Sequence, residues 1–230
     1  MEKELSSRGF ESPWIDIKGP DWNDLLKLGR KSFVKKGTTL IDMGDVVDEL
    51  HYLHKGQVKV SVTAKSGLEK IVLYIDAPGV FGETPFFHRQ PSKFDTSASE
   101  DCEIFTFKRD FIMQELVHYP EIMKYMLALF AQKIRVLSAQ IEDLAFKEPV
   151  IRVANLLYLI VCKKGEKIDD KRYKVDIRIT HQDIGNMTGL HRVTVSKVLK
   201  KLCNEGFITK SRSHISITNI ESLEELTNDK

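Results

Sequence analysis

The stretch that decides the architecture is Thr180-His181-Gln182-Asp183-Ile184-Gly185-Asn186-Met187-Thr188-Gly189-Leu190-His191-Arg192-Val193-Thr194-Val195-Ser196-Lys197-Val198-Leu199-Lys200-Lys201-Leu202. Thr180 suits a helix N-cap, and Asp183 at N3 is a weaker version of the capping-box carboxylate. The helix opened there must be short, because Gly189 breaks it, and a second is predicted from about His191 to Asn204. Ile184, Leu190, Val195 and Val198 fall at inward positions, and Gly185 allows the two helices to approach closely. Two helices joined by a short glycine-containing turn form a helix-turn-helix, whose second helix is suited to the major groove of DNA. Beyond it, Phe207 to Ile217 alternates apolar and polar residues around Lys210-Ser211-Arg212-Ser213, which predicts a hairpin serving as a basic wing.

Charge agrees with that reading. Between Arg178 and Thr218 there are seven Lys+Arg against two Asp+Glu, with His181, His191 and His214 added. From Lys147 onward the balance is sixteen against eleven, or +5, and the remainder carries −3, giving the net +2 of the whole. A locally basic segment on a near-neutral chain is the electrostatic pattern of a module that meets phosphates. Upstream, an amphipathic helix is predicted from Val150 to Cys162, then a charged loop from Lys163 to Lys174 and a strand from Val175 to Ile179.

Working back along the chain, Pro120 and Glu121 suit the first turn of a helix that Pro149 terminates. Within it Met123, Leu127, Phe130, Ile134, Leu137, Ile141 and Leu144 are spaced alternately four and three apart, with no glycine or proline inside. That is a heptad seam, predicting a helix of about 40 Å from Pro120 to Phe146 that pairs with a second copy of itself. The competing reading is a helix packed on its own domain, where apolar residues also recur at three and four.

The chain before Tyr119 is rich in β-formers. Leu50 to Leu53, Val58 to Val62, Ile71 to Ile75 and Ile104 to Phe107 read as strands, separated by turns at Gly37, Gly44, Gly56, Gly67, Gly79 and Gly82. Short strands at this spacing predict a closed antiparallel roll, an architecture that can enclose a small ligand. The fold class is therefore α+β. Residues 1–119 are expected to form the effector-binding roll, 120–147 the dimerisation helix and 148–230 the winged helix-turn-helix domain.

Composition bounds the remaining possibilities. With 42% hydrophobic and 30% charged residues the chain is ordinary for a globular protein. The longest apolar run, Leu156 to Cys162, is far short of a membrane span, and Met1 to Phe10 lacks the apolar core of a signal peptide. Cys102, Cys162 and Cys203 are scattered without a C-x-x-C pair, which fits a reducing cytoplasm. No phosphate-cradling loop, catalytic triad pattern or metal-spaced cluster occurs, so an enzyme is not expected. His51 and His54 are three apart and would lie on opposite faces of a strand.

The order of roll, long helix and winged helix-turn-helix resembles the cyclic-AMP receptor protein / fumarate-nitrate-reduction regulator (CRP/FNR) superfamily over nearly the whole chain. The resemblance is carried by Lys36-Gly37-Thr38-Thr39-Leu40 leading to Gly44-Asp45, by Leu53-His54-Lys55-Gly56-Gln57-Val58-Lys59-Val60, and by Phe81-Gly82-Glu83, which is similar to the start of the phosphate-binding cassette. Leu144-Ala145-Phe146, Ile184-Gly185, Gly189 and Thr194-Val195-Ser196 match as well. It implies a homodimeric transcription regulator that binds a palindromic operator, responds to a small molecule and contacts RNA polymerase. A ligand-sensing regulatory subunit of a channel or kinase would share the roll but has no use for the winged helix-turn-helix.

Departures from the family's pattern concern the effector. Cyclic-AMP binders carry an Arg-Ser pair about ten residues after Gly-Glu, where this chain has Ser92-Lys93-Phe94, so the bidentate arginine is missing. Lys93 or Arg89 would offer only a point charge. The Thr-Ser pair that reads adenine is replaced by Leu137-Ser138. Iron–sulfur sensing needs an N-terminal cysteine cluster, and no cysteine precedes Cys102. Haem held by His51, His54 or His88 is disfavoured, so no cofactor is expected. The run His191-Arg192-Val193-Thr194-Val195-Ser196 resembles the branch that regulates organohalide respiration, in which a dimer-helix lysine matching Lys133 helps hold a phenolate. The effector expected is an organic anion or aromatic acid, bound near Gly82, Glu83, Lys93, Lys133, Leu137 and Ser138.

The resemblance also assigns the DNA contacts. Arg192 matches the arginine that donates to guanine, and His191 lies beside it at the turn. Val193 stands where relatives carry a glutamate that accepts from cytosine; valine can only touch a thymine methyl, which implies an A·T pair there and an A·T-rich operator. Ser196 and Lys197 share that helical face. Thr180, His181, Gln182, Lys200, Lys210 and Arg212 are assigned to phosphates.

Overall fold

The computed structural model describes residues 11–15, 17–169, 171–175, 179–211 and 215–228. They fall into two compact units, Pro13–Leu137 and a second made of Ser138 onward together with Glu11 and Ser12.

The first unit opens with β1 (Trp14–Ile15), α1 (Asn23–Leu26), β2 (Arg30–Val34) and β3 (Thr39–Ile41). The expected strands follow in longer form as β4 (Glu49–Lys55), β5 (Gln57–Thr63) and β6 (Glu69–Asp76). After β7 (Gly79–Phe81) comes a short helix, α2 (Glu83–His88), then β8 (Asp95–Ala98), β9 (Cys102–Lys108) and α3 (Arg109–Glu115). These strands make two sheets, ordered β1-β6-β5-β8-β3 and β2-β9-β4-β7. All pairings are antiparallel except β1 with β6, which is parallel at the edge of its sheet. One core is buried between the sheets, with Trp22, Leu50, Leu53, Phe81, Phe86 and Phe107 among its fully enclosed side chains.

The long helix α4 spans Pro120–Phe146, the predicted bounds. It carries two apolar stripes, only one of which the sequence reading picked out. Ile122, Tyr125, Met126, Leu129 and Val136 are buried in the core of the roll. Of the heptad seam, Met123, Leu127, Ile134, Ile141 and Leu144 are exposed, Leu127 and Ile141 each at 67%. Phe130 and Leu137 are half-buried: the Phe130 ring meets Phe87 edge-on at 6.1 Å, and Leu137 packs against the roll. The helix therefore packs on its own roll with one face, as the competing reading expects, and leaves most of a second apolar stripe uncovered.

The second unit is built on α5 (Pro149–Lys164), whose Val153, Ala154, Leu157, Ile160 and Val161 are buried. Next come β10 (Gly165–Lys167) and β11 (Tyr173–Val175), then α6 (His181–Thr188), α7 (Arg192–Asn204), β12 (Ile208–Lys210), β13 (Ile215–Ile217) and α8 (Ile220–Asn228). The strands form one antiparallel sheet ordered β10-β11-β13-β12. Three expectations need correcting. The supposed charged loop of 163–174 contains a strand pair, and the supposed strand at Val175–Ile179 begins earlier, at Tyr173, with 176–178 outside the described residues. The charged residues of these three-residue strands masked the alternation on which a strand reading depends. Third, α8 was not foreseen; it packs on α5 and buries Leu223.

Candidate nucleic-acid interface and effector cavity

The geometry of the helix pair follows from a few local choices. At the start of α6 the capping box is complete: Thr180 Oγ1 accepts from the Asp183 N–H at 3.0 Å, and the Asp183 carboxylate accepts from the Thr180 N–H at 2.8 Å. Gly189 ends the helix in the left-handed region, with φ 70°. The Leu190 N–H then donates to the Gly185 carbonyl at 3.0 Å. A Cβ built on Gly185 would sit 2.5 Å from the Leu190 carbonyl oxygen, so only glycine fits there. Gly185→Ala is therefore expected to cost about 1–3 kcal/mol through forced displacement of the turn; a thermal melt together with operator titration checks it, and an unchanged melt would refute the close-approach argument. From α5, Arg152 Nη1 donates to the Thr188 carbonyl at 3.2 Å and ties down the end of α6.

With that turn fixed, α7 buries Val195, Val198, Leu199 and Leu202 and turns Arg192, Val193, Ser196, Lys197 and Lys200 to solvent. His191, its N-cap, is exposed as well. The apolar Val193 side chain is 67% exposed and so free to meet a base edge. At the start of α6, Gln182 is exposed and donates to Asn186 Oδ1 at 2.7 Å. His181 Nε2 is in contact with Lys210 Nζ of β12. Burial lowers the His181 pKa, with the charges of Lys210 and Arg192 acting in the same direction. Lys210 and Arg192 thus bring positive charge beside His181 at the N-terminus of α6, an arrangement that attracts a phosphate. Arg212, assigned to the wing, lies outside the described residues.

The second feature is a cavity of about 120 Å³ in the roll. Its walls include Ile41, Val72, Phe81, Phe94 and Leu137, and its polar lining includes Glu83, Thr84, Ser92 and Lys133. Gly82, left-handed at φ 75°, starts α2 and places Glu83 at its first position. Glu83 and Lys133 form an ion pair at 2.8 Å, with side chains only 3% and 10% exposed. Thr84 Oγ1 donates to the same Glu83 oxygen, Oε1, at 3.0 Å.

Of the effector residues expected, the cavity brings together Gly82, Glu83, Lys133 and Leu137. Lys93 and Arg89 are exposed and do not line it; Ser92 does, its hydroxyl donating to the Phe94 carbonyl at 2.7 Å. Ser138 is exposed, because one step along a helix turns the side chain by about 100° from Leu137. Ser92, Thr84 and the aromatic walls escaped the sequence reading, since alternation marks a buried position without telling core from cavity lining. His51 stacks on Phe81 at 4.9 Å and meets Thr106 Oγ1 at 3.2 Å. Burial, with Arg30 nearby, pushes its pKa down to about 4, so it is neutral and part of the packing. Among the described residues no three His, Cys, Asp or Glu side chains are grouped to hold a metal ion.

A roll with an internal cavity, followed by a winged helix-turn-helix with an exposed basic helix, defines a ligand-responsive DNA-binding protein. Residues 31–119 match the family model of the cyclic nucleotide-binding domain, and 151–226 match that of the Crp-like helix-turn-helix domain. The chain is 32% identical over 173 residues to the cAMP-activated global transcriptional regulator CRP of Pasteurella multocida, covering 75% of this chain and 82% of that protein. In fold it is similar to a CprK variant complexed with OCPA, with a TM-score of 0.76 at 20% identity over 94% of this chain and 99% of the other. A CooA variant from Carboxydothermus hydrogenoformans gives 0.78 at 19% identity over 91% and 93%. The chain belongs to the CRP/FNR family of transcription regulators. It pairs a DNA-binding domain with an effector-binding one, and the regulatory-subunit and enzyme readings fall away.

Proposed function

We propose that this regulator works as a homodimer, pairing through the seam of α4, and grips an inverted-repeat operator when a small organic anion or aromatic acid occupies the roll cavity. One observation carries the reading: α4 presents Lys133 and Leu137 to the cavity and Leu127, Ile134 and Ile141 to solvent. One helix thus carries both residues of the effector site and the surface expected to pair, and a ligand that shifts it would bias the spacing of the two recognition helices. The working division is roll 1–119, pairing helix 120–147 and DNA-binding domain 148–230. RNA polymerase is the further partner, and the cytoplasm the compartment.

The P. multocida relative is named for activation by cAMP, but among the described residues no arginine lines this cavity, and the cation that does, Lys133, is already engaged by Glu83. The space, of the order of the roughly 150 Å³ cavity that holds one benzene ring, suits a single ring far better than a nucleotide.

The test is a mobility-shift titration of a palindromic A·T-rich operator with a panel of aromatic acids and cyclic AMP. A shift appearing with an aromatic acid supports the proposal; a shift restricted to cyclic AMP, or operator affinity unchanged by every acid at saturation, refutes it. Operator selection with Val193→Glu is expected to move the preference at one position of each half-site from A·T to C·G. The gain should be tenfold to a hundredfold, as about 1–3 kcal/mol for a base-edge contact implies.

A further inference from the structure

The contact between His181 and Lys210 fixes where the proton lies when no DNA is bound. His181, the first residue of α6, meets Lys210 Nζ of β12 through its Nε2. An ammonium has donors and no acceptor, so the nitrogen facing it must accept, which makes the imidazole neutral with its proton on Nδ1. The opposite assignment, a charged imidazole beside a neutral amine, is ruled out because a lysine holds its proton about four pH units more tightly than a histidine. The other described groups around the ring act in the same direction. Burial and the charges of Lys210 and Arg192 hold the His181 pKa below its ordinary 6.5. The residue also sits at the positive end of the helix dipole. Asp183, the carboxylate of that first turn, accepts from the Thr180 N–H at 2.8 Å and the Thr180 hydroxyl at 2.7 Å, and is committed to the cap.

A phosphate of the DNA backbone reverses that balance. Its negative charge, set against Lys210, Arg192 and the first turn of α6, favours a charged ring instead of opposing it. A protonated His181 offers Nε2–H as a donor, whereas the neutral tautomer fixed by Lys210 presents a lone pair that a phosphate oxygen repels. Lys210 keeps its own role, because an ammonium has three donors and can turn one to the same phosphate.

Resting on the reading of α6 and α7 as the DNA interface, we infer that His181 is a proton-linked phosphate contact: neutral in the free protein, it takes up one proton when the DNA backbone binds. A group that holds its proton more tightly in the complex than in the free protein stabilises the complex as pH falls through the window between the two affinities. DNA affinity therefore rises on acidification, by up to about tenfold per protomer for each pH unit crossed. It levels off only below the pKa of the free protein, itself under 6.5. Occupancy of DNA thus responds to acidity through the DNA-binding domain itself.

A backbone contact does not read sequence, so a mixed-sequence duplex at low salt is a sufficient probe. Fluorescence anisotropy of that duplex at constant ionic strength is expected to show the full chain binding at least fivefold more tightly at pH 6 than at pH 8. His181→Gln keeps a neutral side chain with a donor, and is expected to match the native affinity at pH 8 and to flatten the dependence. Calorimetry in buffers of different ionisation heat counts the protons on the native chain, with no variant that has to fold, and should show net uptake on binding. Native affinity that stays constant from pH 8 to pH 6 overturns the inference, and so does uptake indistinguishable from zero. A pH dependence that survives unchanged in His181→Gln overturns it too, and assigns the titration to another group. In each of these cases the duplex is still bound and the DNA interface stands. If the duplex is bound at no pH, the interface reading fails and the inference falls with it.

Discussion

Glutamate at both Ile134 and Ile141 is expected to split the proposed homodimer into monomers and to lower operator affinity at least a hundredfold. The two side chains are 62% and 67% exposed and two turns apart on one stripe of α4, so on the single chain they bury little. Covering such a side chain gains about 1.5–3 kcal/mol each, and a symmetric seam of the proposed kind would double it, because every residue would be used by both copies. Facing carboxylates would replace that gain by desolvation and like-charge repulsion. A monomer reaches one half-site only, and the loss of the second set of contacts is what the affinity measures. Sedimentation gives the mass and a mobility shift the affinity. The control is built into the helix: neither residue belongs to the stripe of Ile122, Met126, Leu129 and Val136 that enters the roll, so the melt of the roll should change little. A variant that remains dimeric would overturn the pairing surface.

The same helix shows how far the sequence could be read. Its bounds were legible because proline and charge mark its start and a proline its end. The seam was legible because a 4,3 spacing is simple. The second stripe was not, since Ile122, Tyr125, Met126, Leu129 and Val136 mix aliphatic, aromatic and sulfur side chains, and a helix apolar on two sides blurs any single period. In the helix-turn-helix, Thr180, Asp183, Gly185 and Gly189 each do a job only one or two residue types can do, and the local structure follows from them. By contrast β10 and β11 carry Glu166, Lys167 and Lys174 on three-residue strands, and the second partner of β11, β13, is some forty residues away. Local pattern does not announce a pairing of that kind.

The effector cavity was only half legible for a related reason. Glu83 and Lys133 are 50 residues apart, and neither the pair's 2.8 Å approach nor its burial is encoded near either residue. The resemblance pointed to each separately, as one end of a cassette and one position on a helix. It also pointed to Lys93 and Ser138, which the backbone carries to the surface. Spacing along a loop of uncertain length does not fix which of three consecutive residues faces inward, and here it is Ser92 and Phe94 that do so.

Lys133→Met is expected to abolish the effector response while leaving basal DNA binding intact, and to lower the stability of the roll by about 3–5 kcal/mol, the usual cost of leaving one member of a buried pair without its partner. Those two effects have different origins, and a second substitution separates them. Glu83→Gln on the Lys133→Met background removes the orphaned charge, so most of the lost stability should return, because a neutral amide in an apolar cavity costs far less than a carboxylate. The effector response should not return, because the cation that meets the anionic group is still absent. Thermal melts of the native, single and double variants give the coupling between the two residues, and mobility shifts with and without effector give the response. Recovery of the response in the double variant would mean that Lys133 served only to hold Glu83 in place. Loss of stability without any recovery in the double variant would mean that the methionine is poorly packed against Phe81 and Leu137, and the charge argument for this cavity would have to be given up.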